Sequence, residues 1–465
     1  MSVEKIVARA EAGFGQSLNR LFDLLRVPSI STDPAFADSC QQAADWLVKE
    51  LSAMGFEASA RKTPGRPMVV AHYTPKNATS KTPHVLFYGH YDVQPVDPLH
   101  LWNTKPFEPV LKKDADGVER IYGRGTADDK GQLMTFVEAA RAFIAETGSL
   151  PIKATFLIEG EEESGSPSLI PFLKDNKTEL SCDVAFVCDT NMWDEKTPAI
   201  TTRLRGLVHE EIEITGPSID LHSGMYGGAA TNPIRALTKM IAALHDKNGK
   251  VAIPKFYDGV SPLPKSTKEQ WAGLKFSEKK FLGSVGLKSS AGEKGFSVIE
   301  QIWSRPTAEV NGMWGGYQGV GSKTVIPSKA HAKLTFRLVG KQNPQKILKA
   351  FQAFAKKHMM KDASIKFSGR GGGSPASEIS ESNIYIKKSA AALQAEFKRE
   401  TVLMGSGGSI PIVRSFKDIL GMDSVLVGFG LNDDAIHSPN EKYNLLSFQR
   451  GIKSWVRIIA ALAEK

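Results

Sequence analysis

Cysteine is scarce: Cys40, Cys182 and Cys188 are the only three in 465 residues, and none forms a CxxC pair. That excludes a disulfide framework and a cysteine-held metal, and it fits a reducing compartment. Long apolar runs are also missing, and no stretch is long enough to span a bilayer. Residues 1–26 mix acids and bases with Ile6, Val7, Ala10, Phe14, Leu18, Leu21 and Leu25 at helical spacing. This is an amphipathic helix, without the continuous apolar core of a signal peptide. A cytoplasmic protein with no membrane partner is expected. A basic tail or stripe is absent too. The net charge of +9 is carried by scattered Lys and Arg in short clusters such as Lys279-Lys280, so nucleic acid is not an expected partner. There is no internal repeat and no low-complexity tract.

What is present is ordinary globular material in quantity. Apolar residues at 41% and charged residues at 23% are the proportions of a soluble globular chain. At this length one hydrophobic core stops growing, so two domains are expected. After the first helix comes the loop Pro28-Ser29-Ile30-Ser31. A second helix follows, with Cys40, Ala44, Leu47 and Leu51 on one face and Gly55 as its stop. Extended runs at 67–73 and 84–88 lead into Gly89-His90-Tyr91-Asp92-Val93-Gln94-Pro95. The loop Gly123 to Gln132 then precedes a helical pattern through Leu133, Phe136/Val137, Ala140 and Phe143/Ile144. That pattern puts Asp128 and Asp129 at a helix N-terminus, where carboxylates are stabilised by free N–H groups and the helix dipole. An acidic N-cap is the plain interpretation of these two residues taken alone. Buried-strand patterns at 152–158 and 184–187 run into Glu161-Glu162-Glu163-Ser164-Gly165 and Cys188-Asp189-Thr190. Strands alternating with helices predict an α/β sheet with helices on both faces, and sites in such sheets gather beyond the carboxyl ends of strands.

From about Gly206 the pattern changes. Glu211 to Ile214 and Lys333 to Leu338 alternate apolar and polar, as strands with one wet face do. Asn232-Pro233 starts a helix, residues near 344–358 form another, and a strand follows near 363–367. This order predicts a separate β-α-β…β-α-β domain; residues 248–310 read only as an elaborated insertion within it. The glycine-rich run Gly369 to Ser374 looks like the return hinge. A helix at 383–398, a strand at 424–427 and a last helix at 448–462 rejoin the first part. The expected domains are 1–205 and 376–465 as one discontinuous domain, and 206–375 inserted into it.

His90, Asp92, Asp128, Glu162, Glu163, Asp189 and His437 are the acids and imidazoles at these strand ends and loops. A metal site needs deprotonated oxygen and neutral nitrogen donors converging from separate elements. Two divalent ions about 3.5–4 Å apart need a shared carboxylate and flanking ligands for each. Five of the seven residues supply that, leaving an Asp and a Glu for supporting and acid–base work. Singly, each has a plainer explanation as packed imidazole or solvated charge.

As a set, Gly89 to Pro95, Gly123 to Gln132, Glu162-Glu163-Ser164-Gly165, Asp220-Leu221-His222-Ser223-Gly224 and Ile436-His437-Ser438 resemble the motif series of the M20 metallopeptidase family, on its carnosinase-like cytosolic dipeptidase branch. The likeness runs nearly end to end. It implies a mixed-sheet, zinc-peptidase-like α/β catalytic domain with an inserted α+β lid that also serves dimerisation. It further implies a two-ion centre, zinc first, with manganese or cobalt as alternatives. Asp128 would bridge the ions, His90 and Asp189 would complete one set, and Glu163 and His437 the other. Glu162 matches the family's general base, and Asp92 the residue that orients His90 through its second ring nitrogen. His222 matches a lid histidine that reaches the partner subunit's site and polarises the scissile carbonyl. Arg337 matches an arginine that pairs with the substrate carboxylate, and Thr324 and Ser409 resemble substrate contacts. The implied activity is hydrolysis of dipeptides or related small peptides by a homodimer. Relatives carry Arg-Glu-Gly-Gly-Ser before Ile-Pro, whereas this chain has Gly405-Ser406-Gly407-Gly408-Ser409. The acid that would meet a substrate ammonium is replaced by Ser406, which keeps an aminoacylase or carbamoyl-amide hydrolase in view. A nucleotide-binding module using Gly123-Arg124-Gly125 is the alternative of another class, and no GxxxxGK[ST] run supports it.

Overall fold

In the computed structural model, which describes residues 2–369, 373–408 and 410–464, the expected first helix is two helices. They are Val3–Ala12 and Phe14–Leu25, divided at Gly13, a weak helix former. The second expected helix is Ala37–Ser52, which buries Cys40, Ala43, Ala44, Leu47 and Leu51.

The chain divides into two units. One comprises Met1–Thr202, Ile379–Met404 and Ser415–Lys465; the other comprises Arg203–Glu378 and Gly405–Arg414. Residues Gly405–Arg414, expected with the catalytic portion, group with the second unit instead. The cause is local. Arg205 donates its backbone N–H to Gly408 O at 3.1 Å and its Nε to Gly407 O at 3.0 Å. A side chain at Gly405 would press on the Trp303 ring. The hinge expected at Gly369 to Ser374 includes residues 370–372, which lie outside the described set.

The first unit is built on a mixed sheet. Its strands lie in the order Glu57–Arg61, Met68–Tyr73, Lys153–Glu159, His84–His90, Val184–Val187, Asp423–Leu426 and Ala199–Leu204. Four central strands, Lys153–Glu159 to Asp423–Leu426, run parallel, and their neighbours at both sides are antiparallel. Parallel strands are buried on both faces, which is why these segments read as continuous apolar runs. One face meets helices Lys130–Thr147 and Leu445–Ala463. There Phe87 lies 5.3 Å from Phe156, 5.5 Å from Phe136 and 5.8 Å from Trp455, all centroid to centroid. Truncating a buried aromatic of this kind to Ala costs about 3–5 kcal/mol. The next residue, Tyr88, points to the opposite face and meets Phe416 edge-on at 5.6 Å.

The second unit carries an antiparallel sheet in the order Thr307–Gly315, Lys329–Leu338, Gly206–Thr215 and Ser364–Phe367. One face packs on helices Pro233–Ala242 and Pro344–Lys357 through Ile212, Ile214, Leu334, Phe336, Leu237 and Phe351. The insertion at 248–310 contributes three short helices, Lys265–Gly273, Glu278–Gly283 and Val298–Trp303. Among the described residues no helix is long and apolar enough to cross a membrane.

Candidate metal centre

Parallel pairing brings three polar loops to one edge of the sheet. His90 ends its strand opposite Glu159, so the turn after Glu159 presents Glu162 and Glu163 beside it. On the other side, strand Val184–Val187 ends in phase with Tyr88, and Asp189 follows. A fourth loop carries Asp128 into the same space. One Asp128 oxygen, Oδ1, lies 3.1 Å from His90 Nε2, and the other, Oδ2, lies 2.9 Å from His437 Nε2. Asp189 Oδ2 is 3.9 Å from His90 Nε2, and Glu163 Oε2 is 3.3 Å from His437 Nε2. The five residues therefore form two groups with ligand geometry, His90/Asp128/Asp189 and Asp128/Glu163/His437, which share Asp128.

Asp92 does more than face His90. Its carboxylate lies 3.3 Å from His90 Nδ1, whose nearest acceptor is the Asp92 backbone oxygen at 3.0 Å. The same carboxylate accepts the backbone N–H groups of Glu162 at 3.2 Å and Glu163 at 3.0 Å. One buried acid thus aligns a histidine and both glutamates. Asp129, expected as an acidic N-cap, precedes helix Lys130–Thr147 but makes no cap bond with its side chain. Its Oδ2 accepts the His90 backbone N–H at 3.1 Å instead. Gly89 makes that approach possible, because a Cβ there would sit 2.8 Å from Asp129 Oδ2.

Several supports were not foreseen. Gln94 Nε2 donates to Glu163 Oε2 at 2.6 Å. Glu441, fully buried, accepts from the N–H groups of Gly125, Ala127 and Asp128. Those are the donors a phosphate would have needed, so the loop is not an open phosphate cradle. Ser29 braces the histidine loop, donating to Tyr91 O at 2.7 Å while its carbonyl accepts from Val93 N. Lys130 is buried with Nζ on Leu24 O and Val27 O at the end of a helix, and burial pushes its pKa down to about 7. Glu161, which the sequence left without a role, holds its own loop by accepting from Arg66 N and Ser168 N. The signal for Gln94 lay in the sequence, inside the histidine motif. For Glu441 it lay four residues after His437.

The electrostatics call for cations. Burial, then Asp128, drives Asp189 well above the carboxylate range, and burial also raises Glu162. Asp129 is pushed up to about 7 by burial. Burial would lower His90, but hydrogen bonds with Asp128 and Asp92 outweigh it and raise the imidazole well above its usual value. Hydrogen bonds to Asp128 and Glu163 push His437 up to about 10. Without ions, the surrounding carboxylates raise the proton affinity of both imidazoles, the same attraction that would hold cations there. Glu163 Oε1 is buried without a hydrogen-bond partner, as a ligand oxygen is before its ion is counted. The donor set, two histidines and three carboxylates, fits two divalent ions.

Residues 86–461 match the profile of peptidase family M20/M25/M40. The chain belongs to that family. The Cys-Gly metallodipeptidase DUG1 of Saccharomyces cerevisiae is 30% identical over 97% of this chain and 96% of the relative. The human Beta-Ala-His dipeptidase is 29% identical over 82% of this chain and 75% of the relative. The solved structure of Dug1p from Saccharomyces cerevisiae superposes with a TM-score of 0.79 at 27% identity, covering 100% of this chain and 99% of that one.

In this M20 peptidase the expected residues His222, Thr324 and Arg337 lie in the second unit. His222 and Thr324 come together on a small ribbon, where His222 pairs with Val325 and Ser223 N donates to Thr324 O at 3.0 Å. Both side chains are exposed. His222 Nδ1 accepts the Gly224 N–H at 3.0 Å, which leaves the proton of a neutral ring on Nε2. Arg337 is half-buried on strand Lys329–Leu338, on the face opposite Phe336 and Leu338. Burial, then the charge of Arg337, lowers Arg205 to about 10. Ser409 lies outside the described residues.

Proposed function

We propose that this M20 peptidase hydrolyses dipeptides or closely related small peptides at a centre of two divalent ions, zinc by preference, in the cytoplasm. The observation that carries this reading is Asp128, whose two oxygens address two separate ligand groups. The names of the relatives support the substrate class, and the unpaired state of Cys40, Cys182 and Cys188 is consistent with the compartment. When bound, the ions would supply Lewis-acid activation of water and of the scissile carbonyl.

The chain's own residues do the rest. Asp92 and its backbone oxygen hold His90 by Nδ1, leaving Nε2 to face an ion. Glu162, fixed at its backbone by Asp92, takes the proton of the attacking water on a carboxylate oxygen and delivers it to the leaving amine nitrogen. His222 donates from Nε2 to the carbonyl oxygen as charge develops there. Arg337, with Arg205 nearby, meets the substrate carboxylate, and Thr324 and Ser409 contact the peptide. Metal analysis paired with a panel that includes Cys-Gly and β-Ala-His tests this assignment. Two equivalents of metal at full activity are expected, and full activity with fewer than two contradicts the shared centre.

The His222 reading requires a homodimer in which the second copy receives the side chain. Met225, 77% exposed beside His222, and exposed Met313 and Trp314 on strand Thr307–Gly315 are apolar surface suited to a second copy. His222→Ala is expected to lower kcat by about 10²–10³-fold, the usual cost of one oxyanion donor. Mixed with inactive Glu162→Gln subunits, it should regain activity, because one hybrid site keeps both residues. No recovery despite proven heterodimers excludes a histidine acting across the dimer.

A second reading rests on Ser406. Its hydroxyl accepts the Gly408 N–H at 3.1 Å and offers a substrate ammonium no negative charge. Substrates without a free amino terminus are then admitted, as for an N-acyl amino acid hydrolase. The dipeptidase reading predicts a higher kcat/KM for a free dipeptide than for its N-acetyl counterpart. A strong preference for the acetylated compound reverses the assignment.

A further inference from the structure

The five proposed ligands account for the ions but not for what keeps Asp128 between them. Its backbone belongs to the loop Gly123 to Gln132, which turns through Gly125 at φ +84° and is buried throughout. A loop buried in this way must find partners for its N–H groups inside the protein. Those of Gly125, Ala127 and Asp128 converge on a single carboxylate. Glu441 Oε2 accepts from Gly125 N at 2.9 Å, and Oε1 accepts from Ala127 N at 2.9 Å and from Asp128 N at 3.1 Å. Arg124 Nη1 adds a charged bond to Oε2 at 2.8 Å, and Gly123 N donates to the Glu441 backbone oxygen at 3.1 Å. Convergent backbone N–H groups form a concavity made for an anion, and here a side chain of the same protein fills it.

Glu441 stands four residues after His437, so one short segment carries both a ligand and this clamp. His437 and Asn440 take left-handed conformations at φ +60° and +64°, and the His437 side chain is 54% exposed. Asn440 anchors the segment to residues 101–103 through Leu101 O and Asn103 N. The Glu441 carboxylate anchors it to the Asp128 loop. By contrast His90 ends a central strand paired on both sides, so the sheet itself fixes its backbone.

We infer that Glu441 is a positioning residue for the metal centre: by joining the Asp128 loop to the His437 segment it sets the spacing of the Asp128/Glu163/His437 group, and it matters less to the His90/Asp128/Asp189 group. The carboxylate is required chemically. An amide at the same place presents N–H groups to the Gly125 N–H and to Arg124, where only an acceptor fits.

The inference rests on the two-ion reading, and zinc titration of the metal-free protein against a chromophoric chelator tests the two separately. The parent protein is expected to bind two zinc ions. If it binds none, the two-ion reading fails and takes this inference with it. In Glu441→Gln one zinc affinity is expected to fall about 10–100-fold, the usual effect of removing a partner that supports a ligand, while the other changes by less than about threefold. A purely structural role would lower the melting temperature without separating the two affinities. Two unchanged affinities, or an equal fall in both, in a folded Glu441→Gln protein overturns the inference and leaves the two-ion reading intact. Should Glu441→Gln not fold, Glu441→Asp keeps the charge but withdraws it by one methylene, and the same outcomes decide.

Discussion

Glu162→Gln is expected to lower kcat on a dipeptide by about 10²–10⁴-fold while both metal ions stay bound. The side chain is isosteric and belongs to neither ligand group, so the ions lose no ligand. Its backbone N–H remains on Asp92 Oδ1, which keeps the turn Glu162–Ser164 in place. What disappears is an oxygen able to take a proton from water and return it to nitrogen. Burial, followed by the charges of Glu163, Asp128 and Asp92, raises the Glu162 pKa against the opposing influence of His90. A raised pKa brings the carboxylate closer to the pH at which it must both accept and release a proton. Because proton transfer belongs to the transition state, kcat and kcat/KM should fall together, with KM little changed. Steady-state kinetics alongside metal analysis reads both quantities. Intact hydrolysis in the variant would remove Glu162 from the mechanism, and loss of metal would turn it into a ligand.

The residues that reach the centre were legible because the sheet advertises them. His90, Glu162, Glu163 and Asp189 each follow an apolar run that had to be a buried strand, and parallel strands deliver their ends to one edge. His437 follows no such run directly, and it was found through its motif. The supports were harder to see because they join residues far apart in the chain. Arg124 and Glu441 meet across 317 positions, and no periodicity marks either one. Asp129 takes the expected N-cap position, but its side chain is used elsewhere. A carboxylate before a helix fits an N-cap in any sequence, and only the approach of Gly89 shows that the His90 backbone competes for it. The amphipathic pattern, by contrast, runs on across Gly13, where the structure divides it into two helices. The segment Gly405–Arg414 was assigned by its place in the order of elements, whereas Arg205 decides its unit by hydrogen bonding.

Removing the ions is expected to abolish hydrolysis, with zinc restoring it, and to cost stability in a way that grows with pH. Ions that bind only the folded chain stabilise it by about 4 kcal/mol when free ion stands a thousandfold above Kd. The pH dependence comes from the acids they leave behind. In the ion-free protein burial holds Asp129 up to about 7, Glu159 up to about 7 and Asp434 up to about 6, and Asp189 lies well above its usual range. These folded-state values exceed those of the unfolded chain, so between about pH 4 and 7 the native state binds more protons than the unfolded state. Stability therefore falls as pH rises through that window. His84, whose pKa burial lowers, works in the opposite direction, and so do carboxylates that arginine hydrogen bonds hold low, such as Glu179 and Asp116, but those acids have finished titrating near the bottom of the window. His437, raised to about 10, adds stability that is complete below its unfolded value and is lost as pH climbs toward 10. Lys130, lowered to about 7, opposes that loss above neutrality, so the clear window lies below pH 7. With ions bound, the protons on Asp189 and the histidines are displaced and the metal carries the compensating charge. The gap in melting temperature between metal-loaded and metal-free protein should accordingly widen from pH 5 to pH 7. A constant or narrowing gap would mean that the centre's acids are not what the ions hold together, and full activity in metal-free protein would end the metallopeptidase assignment.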